Sequence, residues 1–255
     1  MTGLLSRFPV RVAIGLVAPA LLIVWWQWQT SAHIVTFAPP AMVGTALLEL
    51  IRSGDLLRDT LATLKRAFTG LAIGVPLGVA VGVAMGIWKP IDRLVGPFLH
   101  ALRQVPMIGW LPLMGLWFGM GTTTELAVVG MSSFFPSMLN SHAGVAQVEK
   151  RYIEVGSIFR FSVAQRIRHI LLPGAMPLVL TGITQALAFA WIATIGTELL
   201  TGANAGLGVA MQLAQVQQRL DIMLVIICVT AALGFTINQL FRQLRQSLLR
   251  WQPSV

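Results

Sequence analysis

Charge is what this sequence has least of. Asp, Glu, Lys and Arg make up 11% of its 255 residues, where an ordinary soluble domain carries roughly 25%. That shortage excludes a soluble enzyme of normal surface. A mean hydropathy of +0.77 leaves lipid, or other apolar side chains, as the solvent. With 56% hydrophobic residues the chain is equally far from disorder. Cysteine is nearly absent. Cys228 stands alone in an apolar run, which rules out a disulfide framework or a cysteine-rich metal site. Ionisable residues are missing from the middle of every long apolar run: Glu125 and Glu198 lie near run ends and Lys65-Arg66 just before one. Ion-coupled pumps need an intramembrane relay of such groups. His33, His100, His142 and His169 are scattered without HExxH spacing, and neither GxSxG nor GxxxxGK occurs. Hydrolase chemistry, a metal centre and Walker-type ATP binding by this chain are therefore not expected, and no catalytic residue is assigned.

Apolar runs at about 12–29, 67–88, 104–119, 124–143, 174–197 and 221–241 predict six membrane helices and an all-α, polytopic membrane protein. The third run is short and carries Pro106 and Pro112. Before the second run, a Pro39-Pro40 break precedes an amphipathic stretch. Val43, Ala46, Leu47, Leu50 and Ile51 share one helical face, with Glu49, Arg52 and Asp55 off it, as suits a helix lying along the membrane interface. Arg7 and Arg11 ahead of the first run imitate a secretory signal. Trp25, Trp26 and Trp28 at its end instead suit the interfacial end of a retained helix.

The net charge of +9 would suggest nucleic acid in a soluble protein, but the charges sort by membrane side. With the amino terminus inside, thirteen basic residues, among them Arg103, Lys150, Arg151, Arg160, Arg166 and Arg168, face three acidic ones in cytoplasmic segments. Five basic residues face six acidic ones outside. The split is +10 against −1, the positive-inside bias, with both termini cytoplasmic. No nucleic-acid partner is needed to explain it.

The second run carries Gly70, Gly74, Gly78, Gly82 and Gly86 in steps of four, a spacing that lets two helix backbones approach closely in lipid. Ser133, Ser137, Asn140 and Ser141 form a polar stripe on the fourth helix, and Thr181, Thr184 and Gln185 share a face of the fifth. Uncharged polar groups at membrane depth serve either interhelical hydrogen bonds or a water-filled path. Between these helices, Glu149–Phe159 reads as a short amphipathic helix with Tyr152, Val155, Gly156 and Phe159 on one face. Ser162-Val-Ala-Gln165 reads as a capping box opening a second short helix that Pro173 ends. Two capped helices outside the membrane, bearing Tyr152, Phe159 and Phe161, present a knob to a partner's groove.

This loop resembles the EAA loop of permease subunits of ATP-binding-cassette (ABC) importers: Glu154-Val-Gly156, then Ile170-Leu-Leu172-Pro173 at the family's interval. Two departures stand out. The two alanines read Val155 and Gly156, and the loop glycine falls on Arg160. Arg103-Gln-Val-Pro106, Leu111-Pro-Leu, Leu116-Trp-Phe-Gly119, Leu172-Pro-Gly-Ala-Met-Pro177, Glu198 and Ala203-Asn-Ala-Gly-Leu-Gly208 are similar to the branch serving aliphatic sulfonates, taurine and nitrate. The likeness runs over 40–250.

The resemblance implies a type I importer permease fold in one transmembrane domain, 1–255, with a family core of about 60–243 and a cytoplasmic coupling loop at 149–172. It implies a bacterial inner-membrane protein that does no chemistry itself and works with a second permease, most simply an identical copy. Its other partners would be two cytoplasmic ATP-binding subunits, which carry ATP and Mg, and a periplasmic binding protein. The coupling residues would be Tyr152, Glu154, Gly156, Phe159, Arg160, Phe161, Ser162, Ile170, Leu172 and Pro173; the path Ser133, Ser137, Asn140, Thr181, Thr184 and Gln185; and the outer loop Glu198, Asn204, Gly206 and Gly208. An arginine in place of the loop glycine predicts a turn rearranged to negative φ, its guanidinium reaching an acidic group on the ATPase. A different cargo, such as a vitamin precursor or heterocycle, or an ATP-independent secondary transporter, are the competing readings.

Overall fold

The structure is a computed structural model that describes residues 17, 21, 24–30 and 38–249. The expected first span, 12–29, lies mostly outside the described residues; 24–30 are helical. The rest is helical throughout: α1 Pro40–Ser53, α2 Asp55–Ile87, α3 Lys89–Leu102, a 3-10 turn Met107–Trp110, α4 Leu111–Phe118, α5 Thr122–Ala146, α6 Lys150–Ile158, α7 Val163–Arg166, a π turn Ile167–Leu171, α8 Leu172–Thr201, α9 Leu207–Val216 and α10 Leu220–Leu248. No strand occurs among the described residues. Among the described residues, three uninterrupted helical stretches, Asp55–Ile87, Val163–Thr201 and Leu220–Leu248, are long and apolar enough to cross a membrane.

Contacts group the described residues into two compact units, those up to 57 with 210–229, and 58–209 with those from 230 onward. In the first, α1 starts on Pro40 and stops at Gly54, whose φ of +79° ends the helix as only glycine does without strain. Val43, Leu47 and Leu50 are half-buried and Ala46 is fully buried, as the amphipathic pattern predicts, whereas Ile51 is exposed. Arg219 clamps this unit, donating to Glu49 at 3.0 Å and Asp221 at 2.8 Å.

The second unit is built on α5. All five ladder glycines of α2 press on it: a Cβ at Gly70 or Gly86 would collide with Val129 or Val145, and one at Gly74, Gly78 or Gly82 with α5 backbone carbonyls. On its other side α5 packs on α8, where Gly182 leaves room for Asn140 and Pro136, and Gly144 of α5 leaves room for Ala175. The core lies along these seams, with Val128, Met138, Ala175 and Ala186 fully buried. Leu57, Leu61, Phe68 and Leu77 of α2 and Phe235 and Leu240 of α10 are exposed, an outer face that lipid would solvate.

Three expectations are corrected here. The run 104–119 is not one helix. Pro106 follows the end of α3, the chain turns through Met107–Trp110, and only Leu111–Phe118 is α-helical, because proline restricts the residue before it and cannot donate to the preceding turn. The second apolar helix starts at Asp55 rather than 67, so Lys65 and Arg66 lie inside it. Pro173 ends nothing. The π turn puts Leu172 N–H on Ile167 O, and Pro173 falls in the first turn of α8, where its missing N–H has little to lose.

Candidate functional site

At the 147–174 end of the second unit, α6, the π turn and the start of α8 surround an open groove of about 590 Å³. Tyr152, Val155 and Gly156 line it from α6 and Phe159 from the residue that ends that helix, with Phe161, Ile170 and Pro173 across. A Cβ at Gly156 would stand 2.6 Å from Ile170 Cδ1, so the glycine lets the two halves close on each other. Ser162 caps α7 reciprocally: its hydroxyl accepts from Gln165 N at 3.3 Å, and its own N–H donates to Gln165 Oε1 at 2.8 Å. Glu154 is exposed and makes no ion pair among the described residues, and Leu172 is partly exposed outside the groove. Tyr152, Val155 and Phe159 are all exposed, Phe159 most of all, an unusual display of apolar surface for a short helix.

Arg160 overturns the expected negative φ. It sits at +52°, and the bonds around it explain why. Phe161 N donates to Gly156 O at 2.9 Å and Arg160 N to Ser157 O at 3.0 Å, the two bonds of a Schellman ending, which requires a left-handed residue at this place. The helix end dictates the backbone, and arginine takes the glycine's conformation.

The Glu198 to Gly208 region forms a second constellation. Glu198 and Glu125 are both fully buried, and Arg66, 12% exposed, bridges them at 2.8 and 2.6 Å. Thr63 donates to Glu198 at 2.9 Å and accepts from Leu207 N at 2.8 Å, and Gly208 N donates to Glu198 at 2.9 Å. Thr201 donates to Glu125 at 2.6 Å, Arg66 also reaches Ala205 O, and Asp59 accepts from Gly206 N. The carboxylate of Glu198 therefore meets one first-turn amide of α9, that of Gly208, where the helix dipole favours an anion. Gly206, with φ +150°, and Gly208 are required by contact: a Cβ on either would stand 2.5–2.6 Å from Glu198. Asn204 is exposed at the loop tip.

The polar stripes divide. Ser133 and Ser137 are fully buried against the glycine ladder: both donate to carbonyls of α5 itself, Gly130 and Ser133, and Ser133 also reaches Gly70 O of α2 at 3.4 Å. Asn140 instead donates across to Gln185 Oε1 at 2.9 Å. Thr181 accepts from Arg245 of α10 at 3.0 Å, and Thr184 donates to Leu180 O.

Residues 74–250 match the family described as the inner membrane component of binding-protein-dependent transport systems. The chain belongs to that family. Its relatives are ABC permeases. It is 32% identical to the taurine transport system permease TauC of Escherichia coli, across 98% of this chain and 93% of that one. It is 30% identical to SsuC of Bacillus subtilis, named as an aliphatic sulfonates transport permease, across 94% and 88%. It is 31% identical to the riboflavin transport system permease RibX of Chloroflexus aurantiacus, across 95% and 91%. Among solved structures it shares its fold with an amino acid ABC transporter crystallised with histidines, at TM-score 0.62, 18% identity, and coverage of 81% and 98%. An inward-facing methionine ABC transporter, MetNI, gives 0.60, 19%, and 74% and 92%.

Within this permease, sequence reasoning found Glu198 and its glycines but missed their partners, Arg66, Glu125, Thr63 and Asp59. A signal existed. Asp59, Thr63, Arg66, Gly70 and Gly74 continue one helical face, so the polar group sits on the extension of the glycine ladder and faces the same neighbour.

Proposed function

We propose that this chain is the permease subunit of an ATP-dependent importer that moves a small anion, an organosulfonate, taurine or a nitrate-like solute, across the inner membrane. The similarity to taurine and aliphatic sulfonates permeases over nearly the full length carries this reading. The exposed apolar groove at 147–174 supports it, because that surface offers a partner a place to dock. The partners are a second permease, two ATP-binding subunits holding ATP and Mg, and a periplasmic binding protein. The chain contributes packing: two access states differ in how its helices meet, and nucleotide biases them through the groove. The positive-inside balance supports a cytoplasmic position for the groove and both termini.

Reconstitution with the ATP-binding subunits and binding protein tests the reading. Taurine or ethanesulfonate should stimulate ATP hydrolysis, and stimulation by none of the sulfonates, taurine or nitrate would reject the cargo class. The riboflavin permease among the relatives favours a heterocycle as second reading, and stimulation by riboflavin alone would select it. Cysteines placed at Gln165 and Gln246 should resist an impermeant thiol reagent in intact cells while one at Asn204 reacts. Labelling at Gln165 from outside would reverse the orientation.

A further inference from the structure

A second cavity, of about 430 Å³, opens between the Arg103–Met107 segment, α5 and α8. Its walls are of two kinds. Phe135, Leu139 and Phe189 give an apolar side, and Arg103, Gln104 and Gln185 bring the polar groups. Arg103 is the one charge in the lining, which contains no carboxylate. Its side chain is exposed and makes no ion pair or hydrogen bond among the described residues. Gln185 is oriented: Asn140 Nδ2 donates to its Oε1 at 2.9 Å and also to Pro136 O at 2.8 Å, which leaves the Gln185 amide hydrogens as donors. A guanidinium and an amide donor beside an aromatic wall match an ion with an oxyanion head and a short carbon chain, and the volume lies within the range of small-ligand sites.

We infer that this cavity is a subsite for a small organic anion, with Arg103 and Gln185 holding the sulfonate or carboxylate head and Phe135, Phe189 and Leu139 flanking the carbon chain. The choice of anion rests on the importer reading above. Arg103 is thus a specificity-determining residue in the permease itself, distinct from whatever selection a binding protein makes. Asn140 is a positioning residue acting through Gln185.

Occupancy is measurable on the purified full chain. Exposed Cys228 is first replaced (Cys228→Ser), and Val105, which lines the cavity, becomes the reporter (Val105→Cys). Ethanesulfonate at four times its dissociation constant should slow maleimide labelling about fivefold, and ethanol should not. Adding Arg103→Gln should abolish the protection, measured against that variant's own ligand-free labelling rate because a nearby cation also activates the thiol, and Arg103→Lys should keep part of it. Absence of protection, protection surviving Arg103→Gln, or protection only by anionic-lipid vesicles would each overturn the subsite. Uptake of ethanesulfonate by the complete transporter is scored in parallel. Uptake without protection sinks the subsite and leaves the importer reading; protection without uptake does the reverse.

Discussion

Arg160 holds a left-handed backbone that costs a residue with a Cβ roughly 1–2 kcal/mol. It is not alone. Gln218, with φ +57°, follows α9 in the same way, with Arg219 N on Ala214 O and Gln218 N on Gln215 O. At both places the bonds that close the helix outweigh the side chain's preference, so residue type alone misleads. The sequence at 160 read as a departure in geometry, whereas it is a departure in chemistry only: the turn is kept, and a guanidinium now stands where glycine would leave bare backbone. Arg160→Gly is expected to stabilise the permease by about 1 kcal/mol and Arg160→Val to destabilise it, both by denaturant unfolding in detergent micelles. If the guanidinium also meets an acidic group on an ATP-binding subunit, Arg160→Gly raises stability and lowers coupling together. A fall in stability with glycine would mean that the helix end does not set the turn.

The glycine ladder shows how a helix pair can be read from residue types. Steps of four announce close packing, and α2 does lie against α5 along all five glycines, but the identity of the partner helix came only with the fold. Positions on the two sides of this seam are unequal. A Cβ at Gly74 would collide with Gly130 O and Ser133 Oγ, while a Cβ at Gly130 meets nothing nearer than 3.7 Å. Gly74→Ala should therefore force α2 and α5 apart at a cost of about 1–3 kcal/mol, and Gly130→Ala should be close to neutral. Unfolding midpoints of the two variants decide it, and equal losses would reject the assigned seam. Other elements were legible by degrees. The spans near 124–143, 174–197 and 221–241 match α5, α8 and α10 because long apolar periodicity needs no tertiary information. The start of α2 was hidden because Asp55, Arg58, Asp59, Lys65 and Arg66 look like a loop until Asp59 and Arg66 are seen half-buried, with Gly206 N–H on the first and Glu125 and Glu198 on the second. The break at 103–110 and the continuity through Pro173 were hidden because a proline stops a helix or bends it according to what surrounds it.

Across the molecule, apolar side chains face outward and one knot of charge lies inside the second unit. Arg66, on α2, carries a single positive charge between two buried carboxylates, and its partners come from α5, α8 and the loop before α9. Sequence distance concealed this knot: Thr63 and Glu198 stand 135 positions apart, and no local pattern ties them. Removing one member of a buried pair leaves an uncompensated charge, which costs about 3–5 kcal/mol, whereas replacing all members by neutral groups of similar shape is often tolerated. Arg66→Met should therefore unfold the permease readily or prevent its assembly. The triple variant Arg66→Met, Glu125→Gln, Glu198→Gln should recover much of that loss, since glutamine still accepts from Thr63, Thr201 and Gly208 N. Transport by the recovered variant then separates the two roles of the knot. Retained uptake assigns it to stability alone. Normal assembly with lost uptake means that the charges themselves are needed to hold the 202–208 loop in one access state and release it in the other. A loss below about 1 kcal/mol for Arg66→Met, the range of exposed ion pairs, would show that water reaches the cluster and that its burial is not what holds this end of the fold.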